Sequence, residues 1–204
     1  RMFGLESEPW YLKPAYSFYR YVCKKLMGKP SLVISPSQYL IDEYKKFGFF
    51  KKCEIRFMPN PAPRSYGVKR DSVRPAGPLR LVFVGQLGSH KGVGFLLDAF
   101  AKYEGDARLN IVGGGPLRSL VEERAKHDKR ILHLGFLSPE EVLKCIANAD
   151  VVVVPSLCYE NSPTVIYEAL SVGVPLLASR IGGVGELITE GKTGYLFTPG
   201  DEND

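Results

Sequence analysis

The chain has 204 residues, 45% of them apolar and 24% charged, and carries a net charge of +5. This is the composition of a soluble globular protein, and the length holds one full domain with part of a second. No run approaches the roughly 18–20 apolar residues of a membrane-spanning helix, and the opening RMFGLESEPW has no basic-then-apolar leader pattern.

Residues 1–30 are aromatic and basic, with Trp10, Tyr11, Tyr16, Phe18, Tyr19 and Tyr21 followed by Lys24 and Lys25. Apolar positions from Pro14 to Met27 have a loose helical spacing, which suits packing in a core, packing beside a partner domain, or a membrane surface. Ser31 to Ser35 reads as a short strand. Ser37 is placed to cap a helix running through Lys46 and stopping at Gly48. Ile55 to Met58 reads as a second short strand. Residues 1–58 offer too few strands for a core of their own, and are expected to be the closing portion of an incomplete second α/β domain. Residues 59–78 carry five prolines and no periodicity, and are expected to be a linker or hinge.

From Leu79 the pattern changes to a regular alternation. Strands are expected at Leu81–Val84, Leu109–Val112, Ile131–Leu134, Val151–Val154, Pro175–Ala178 and Tyr195–Phe197. Between them lie helices over Gly92–Tyr103, with Phe95, Leu96, Ala99 and Phe100 on the apolar face, Pro116–His127 and Ser138–Asn148. The last of these opens with a capping box in which Ser138 stands at the cap, Pro139 first and Glu141 third. A further helix runs from Pro163, capped by Ser162, to about Gly173, and a short one covers Val184–Ile188. Short apolar runs separated by helices predict an α/β domain over 79–204, built on a Rossmann-like, doubly wound parallel sheet. Ligands bind such sheets beyond the carboxyl ends of the strands, so the loops 85–91, 113–116, 135–138, 155–163 and 179–184 carry the functional content.

Residues 1–80 have a net charge of +10 and residues 81–204 one of −5. The basic part fits an anionic acceptor, a membrane surface or a solvated basic face; it lacks the aromatic interleaving of a nucleic-acid module. Cys23, Cys53, Cys145 and Cys158 form no close pair, and Cys145 and Cys158 sit in apolar surroundings as buried free thiols, which points to a reducing, cytoplasmic setting. His90, His127 and His133 do not pair with cysteines at zinc-site spacing, so no metal site is expected.

The most informative stretch is Pro155 to Pro175, PSLCYENSPTVIYEALSVGVP. After a buried strand comes a loop with Glu160, Asn161 and Ser162, then a helix start, with Glu168 on the helix. The helix N-terminus is an anion site by virtue of its unpaired N–H groups, and the carboxylates beside it are acceptors for hydroxyls. Phosphate flanked by hydroxyls describes a nucleotide sugar. Glu160, seven intervening residues and Glu168, followed by EAL and a Gly-Xaa-Pro, resemble the signature of the family-4 retaining glycosyltransferases of the GT-B fold. The resemblance covers 79–204 well and 31–62 loosely, and makes the chain a donor lobe preceded by the end of an acceptor-side domain. Family members continue beyond the position of Asp204, so both ends are expected to be cut and the chain alone to be inactive.

The resemblance implies that Glu160 meets hydroxyls of the transferred sugar and Glu168 those of the ribose. Backbone amides of Asn161, Ser162, Thr164 and Val165, around Pro163, lie near the diphosphate. In GQLGSHKG, from Gly85 to Gly92, Lys91 matches the family's phosphate-binding lysine, whereas Gln86 stands where the family has Arg. Gln offers a neutral hydrogen bond in place of a charged fork. Gly113 to Gly115 form a turn on the cleft floor. They fail the dinucleotide fingerprint because Arg118 occupies the third glycine position, and Gly191-Lys192-Thr193 fails the P-loop pattern. The loop with Phe136 and Leu137 matches the base-contacting segment, whose backbone readout leaves uracil, guanine and adenine open, with a UDP- or GDP-linked donor expected. Gly182 and Gly183 read as a close-approach turn, and Glu186 as structural.

The expected activity is metal-independent transfer of a sugar from a nucleoside-diphosphate donor, with no cofactor and with retention. Lys91 and Glu160 carry the catalytic expectation: Lys91 with the helix N-terminus would neutralise the leaving diphosphate, and Glu160 would orient the sugar. The family route has the leaving phosphate help deprotonate the acceptor. The acceptor, a sugar or a lipid-linked one, would be bound through the missing domain, with the cytoplasmic membrane face as a second setting. A sugar-nucleotide-binding lobe without catalysis and a related GT-B epimerase are the alternatives.

Overall fold

The structure is a computed structural model that describes residues 17–19, 21–22, 30–61, 63–64, 66–70 and 76–201. The helix expected over 14–27 lies mostly outside the described residues, as do Cys23 and parts of the 59–78 segment. Strands β1 (Leu32–Ser35) and β2 (Glu54–Phe57) pair in parallel, with helix α1 (Gln38–Lys46) between them. Ser37 caps α1 as expected, its hydroxyl accepting from the Leu40 N–H at 3.1 Å.

The remainder is a six-stranded, all-parallel sheet. Its strands are β3 (Leu79–Val84), β4 (Ala107–Val112), β5 (Ile131–Gly135), β6 (Val151–Val154), β7 (Leu176–Ser179) and β8 (Gly194–Phe197). The spatial order is β5-β4-β3-β6-β7-β8. This is the doubly wound Rossmann-like order: the chain first builds outward from β3 in one direction and then, from β6, in the other. The alternation of side chains along a strand explains why both faces are covered. Val82, Val152 and Val154 enter one core with Leu143 and Ile146 of α4 (Pro139–Ala147) and Ile166 and Ala169 of α5 (Thr164–Ser171). Phe83 and Val153 face the other side. They pack with Leu96, Leu97 and Phe100 of α2 (Val93–Lys102) and Val121 of α3 (Arg118–His127).

Several boundaries shift. Helix α2 starts at Val93, because Gly92 has φ +70° and is outside helical geometry. Its buried face is Val93, Leu96, Leu97 and Phe100; the expected Phe95 is half-buried and stacks on Phe197 at 6.1 Å. Helix α3 starts at Arg118, and the short helix at 184–188 is a 3-10 turn over Gly182–Glu186. The capping box of α4 forms: Ser138 N–H donates to Glu141 Oε2 at 2.8 Å and the Ser138 hydroxyl accepts from the Glu141 N–H. Cys145 and Cys158 are half-buried free thiols rather than fully buried ones, because Cys145 lies at the margin of a core layer and Cys158 lines a surface cavity with Glu160. Burial raises the pKa of both, which keeps them as thiols. Among the described residues no helix is long and apolar enough to cross a membrane.

Candidate functional site

At the point where the sheet order reverses, where such sheets open a crevice, the loops after β3 and β6 meet. Gly92 locks them together. A Cβ at Gly92 would stand 1.8 Å from the Pro155 carbonyl oxygen, so only glycine permits the approach, and its left-handed φ requires glycine as well. The Leu157 N–H donates to the His90 carbonyl at 2.9 Å and extends the contact.

This packing puts Lys91 against Glu160. Lys91 Nζ lies 2.5 Å from Glu160 Oε1, with side chains 30% and 13% exposed. The buried Ser156, two residues beyond β6, donates its hydroxyl to the same oxygen at 2.9 Å. One carboxylate oxygen therefore has two donors, while Oε2 has no hydrogen-bond partner among the described residues and is open to a hydroxyl. A carboxylate that shares one oxygen between a cation and a hydroxyl is oriented, with its other oxygen left able to accept.

The helix start differs from expectation. Pro163 occupies the cap position of α5, and no side chain caps the helix. Ser162, expected to do so, instead pairs its hydroxyl with the Tyr167 hydroxyl at 2.8 Å. The cap role is lost because this bond turns the serine oxygen away from the first-turn amides. The amides of Thr164 and Val165 are thus left as an unshielded helix N-terminus. Glu168 sits in the second turn, half-buried, with no partner for its carboxylate among the described residues, and burial raises its pKa. A carboxyl whose folded pKa is raised stabilises the fold at low pH, and that contribution is lost as pH rises through the folded value. Glu168→Gln is therefore expected to melt about 1–2 °C higher than the parent at neutral pH, since solvent screening limits a half-exposed group, and equally at acid pH. Melting curves from pH 3 to 8 check this; a neutral-pH difference of opposite sign would refute it.

On the other half of the sheet, Gly85, Gln86, Gly113, Phe136 and Leu137 line one cavity of about 490 Å³. Gly113, at φ +131°, brings its Cα so close to Gly85 that a Cβ would meet the Gly85 carbonyl oxygen at 1.9 Å. His133 Nε2, 3.0 Å from the Gly113 carbonyl, braces the turn from behind. Phe136 is 86% exposed, a free ring face at the cavity mouth. Glu160 and Asn161 line a second cavity of about 470 Å³ with Tyr39, Leu40, Leu157, Cys158 and Tyr159. Some of the residues named from the sequence thus form two groups on either side of the reversal point, whereas Lys91, Ser162, Pro163, Thr164, Val165 and Glu168 line neither cavity. Among the described residues, no group of three or more His, Cys, Asp or Glu converges as a metal set would.

The family described as glycosyl transferases group 1 matches residues 78–204, well over half of the chain. The chain belongs to the group 1 glycosyltransferases. It is 29% identical over 208 residues to the sulfoquinovosyl transferase SQD2 of Arabidopsis thaliana, covering 96% of this chain and 39% of that protein. It is 35% identical over 133 residues to glycogen synthase of Mycobacterium tuberculosis, covering 61% of this chain and 31% of that one. The chain thus spans less than half the length of these curated relatives. Among solved structures, sucrose-phosphate synthase from Thermosynechococcus elongatus superposes with a TM-score of 0.76 at 23% identity, over 98% of this chain and 51% of that one. Anabaena HepE in complex with UDP superposes with a TM-score of 0.67 at 25% identity, over 84% and 51%. The fold is that of the GT-B glycosyltransferases.

Within this group 1 glycosyltransferase lobe, the contacts invisible to sequence reading are the long-range ones. The Ser37 hydroxyl donates to Asn161 Oδ1 at 2.6 Å, and Asn60 Nδ2 donates to the Ser162 carbonyl at 3.1 Å. These tie 30–60 to the site loop from more than a hundred residues away, and neither carries a local signature. Gly182 and Gly183 make the close approach expected of them, to backbone: added Cβ atoms would meet the carbonyl oxygens of Glu160 and Asn161 at 2.2 and 2.0 Å. Glu186, read as structural, has a definite structural partner. It accepts the backbone N–H groups of Gln38, at 2.8 Å, and of Tyr39.

Proposed function

We propose that this chain is the donor-binding lobe of a retaining glycosyltransferase that uses a nucleoside-diphosphate sugar without a divalent metal. The observation that carries this reading is the Lys91–Glu160 pair at the reversal point, with the uncapped N-terminus of α5 four residues further on. A diphosphate placed there meets a cation and first-turn amides, the two groups that neutralise a leaving anion. Lys91 would pass from Glu160 toward the phosphates as negative charge builds. Glu160 Oε2 would accept a sugar hydroxyl, and Glu168 would accept the ribose hydroxyls in exchange for the water its burial has displaced. The cavity at Gly85, Gln86, Gly113, Phe136 and Leu137 has the apolar floor and open ring that a nucleobase needs. HepE at 25% identity was solved with UDP, and also with UDP and glucose, which supports a uridine-linked donor.

The acceptor would enter from the side of α1, through the 30–58 portion, with the 59–78 segment as the link between an acceptor-side domain and this lobe. The basic residues of that portion suit a phosphorylated or lipid-linked acceptor at a cytoplasmic membrane face. Gln86, where a charged fork is the family pattern, favours a second reading: a lobe that binds the sugar nucleotide and turns it over slowly, or not at all without its acceptor-side domain.

Melting of this chain with UDP, GDP and ADP, each with and without EDTA, tests the reading. A ligand at a hundred times its dissociation constant stabilises the native state by about 2.7 kcal/mol. One nucleotide is expected to raise the melting temperature by several degrees, unchanged by EDTA and lost in Glu168→Ala. A shift that EDTA abolishes would remove the metal-free mechanism; a shift kept in Glu168→Ala would remove the ribose role.

A further inference from the structure

Residues on both sides of Glu160 are held by the first turn of α1. Tyr159 stacks on Tyr39, with ring centroids 6.0 Å apart and planes within 10°. Asn161 accepts the Ser37 hydroxyl at 2.6 Å. The backbone of that same turn is held by one side chain: Glu186 takes the N–H groups of Gln38 and Tyr39 on its two carboxylate oxygens. These amides are at the start of the helix, where a carboxylate satisfies orphan donors and meets the positive end of the helix dipole. The 3-10 turn that carries Glu186 also supports the loop directly, with the Gly183 N–H donating to the Glu160 carbonyl at 2.7 Å.

We propose that Glu186 is a positioning residue for Glu160, acting through α1. By fixing the first turn of α1, it sets Ser37 on Asn161 and Tyr39 on Tyr159, and so holds Glu160 between two anchored neighbours. The Glu160 side chain then keeps one oxygen on Lys91 and Ser156 and the other toward the crevice. Glu186 touches neither Glu160 nor Lys91, and its route runs through a segment nearly 150 residues earlier in the chain. Movement of α1 away from the lobe releases both neighbours of Glu160 together. The catalytic carboxylate is thereby tuned to the position of the acceptor-side segment.

The first test needs no ligand, so it stands whether or not the sugar-nucleotide reading holds. Amide hydrogen exchange is measured on the whole chain for the parent, Glu186→Ala, the Ser37→Ala/Tyr39→Ala pair, and the triple variant. Glu186→Ala is expected to speed exchange about tenfold at 38–40 and at 158–162, with β3–β8 unchanged. Glu186→Gln keeps one acceptor oxygen and is expected to give an intermediate increase at both places. The Ser37/Tyr39 pair is expected to reproduce the change at 158–162, and adding Glu186→Ala to it to speed that loop by less than twofold more, as residues acting in one chain of contacts do. An effect of Glu186→Ala confined to 38–40 would reduce its role to a helix cap. An effect spread evenly over the sheet would make it a general stability residue. A full tenfold increment in the triple variant would break the route through α1. Any of the three overturns the proposal.

Discussion

Replacing Lys91 with alanine is expected to lower turnover about a hundred- to a thousandfold, the size of effect seen when one preorganised charge-stabilising group is removed from an active site. The Lys91 ammonium is held 2.5 Å from Glu160 on a side chain only 30% exposed, so its position is fixed by the protein's own groups. A leaving diphosphate gains charge only as the glycosidic bond breaks. Under the proposed function the cation would therefore contribute more to the transition state than to the bound donor. Nucleotide affinity is expected to fall by a smaller factor, about tenfold, because the ground-state donor must compete with Glu160 for the same ammonium. Release of nucleoside diphosphate from UDP-, GDP- and ADP-sugars by the whole enzyme measures the first, and titration with the free nucleotide the second. Turnover within threefold of the parent would remove Lys91 from the chemistry. Equal losses in affinity and turnover would make it a binding residue only.

The second large effect is expected from Gly92→Ala. A methyl group there would stand 1.8 Å from the Pro155 carbonyl oxygen, on a residue whose φ of +70° already disfavours a side chain. Neither neighbour can yield cheaply: Gly92 caps α2, and Pro155 leaves the central strand β6. A loss of about 3 kcal/mol or more is expected, from the left-handed strain and the separation of two packed loops. For a chain of this size that is a fall of about 6–12 °C in melting temperature. Because the two loops carry Lys91 and Glu160, the nucleotide-dependent melting shift should disappear in the same variant. Thermal melts with and without nucleotide read both; a melting temperature within 2 °C of the parent would show that the loops part without cost.

Much of this architecture could be read from local pattern. The strand of four valines at 151–154, the Ser138 capping box and the alternation after Leu79 are signals that residues give about their own neighbourhood, and the sheet forms where they say. Helix starts were less legible. Gly92 and Pro163 fit either side of a helix boundary, and the decision falls to contacts elsewhere: the Pro155 carbonyl in one case, the Tyr167 hydroxyl in the other. Lys91 and Glu160 stand out as charged residues in loops after strands, and the crevice joins them. The long-range partners of Ser37, Asn60, Tyr39 and Glu186 do not stand out, because a hydroxyl, an amide, a ring or an exposed carboxylate is ordinary in its own segment, even where, as at Ser37, its local cap is legible. Their meaning comes from closure over 102 to 148 residues of chain, which no period of 2 or 3.6 encodes.

The pairing beneath the crevice is much the shorter of the two on β3. Strands β3 and β4 register over six residue pairs, whereas β3 and β6 register over only two, Leu81 with Val151 and Val82 with Val152. As a mechanical object the sheet therefore has a seam that is narrow in backbone pairing but crossed by both core layers, Val82 packing with Val152 and Phe83 with Val153. One side of the seam carries the 490 Å³ cavity with Phe136, and the other carries Glu160. Across the mouth of the seam, the Lys91–Glu160 pair and the Gly92–Pro155 contact act as a clasp on the side where strands give way to loops. Because β3 and β6 share so few ladder pairs, that clasp and the two core layers are what hold the two cavities at a fixed separation.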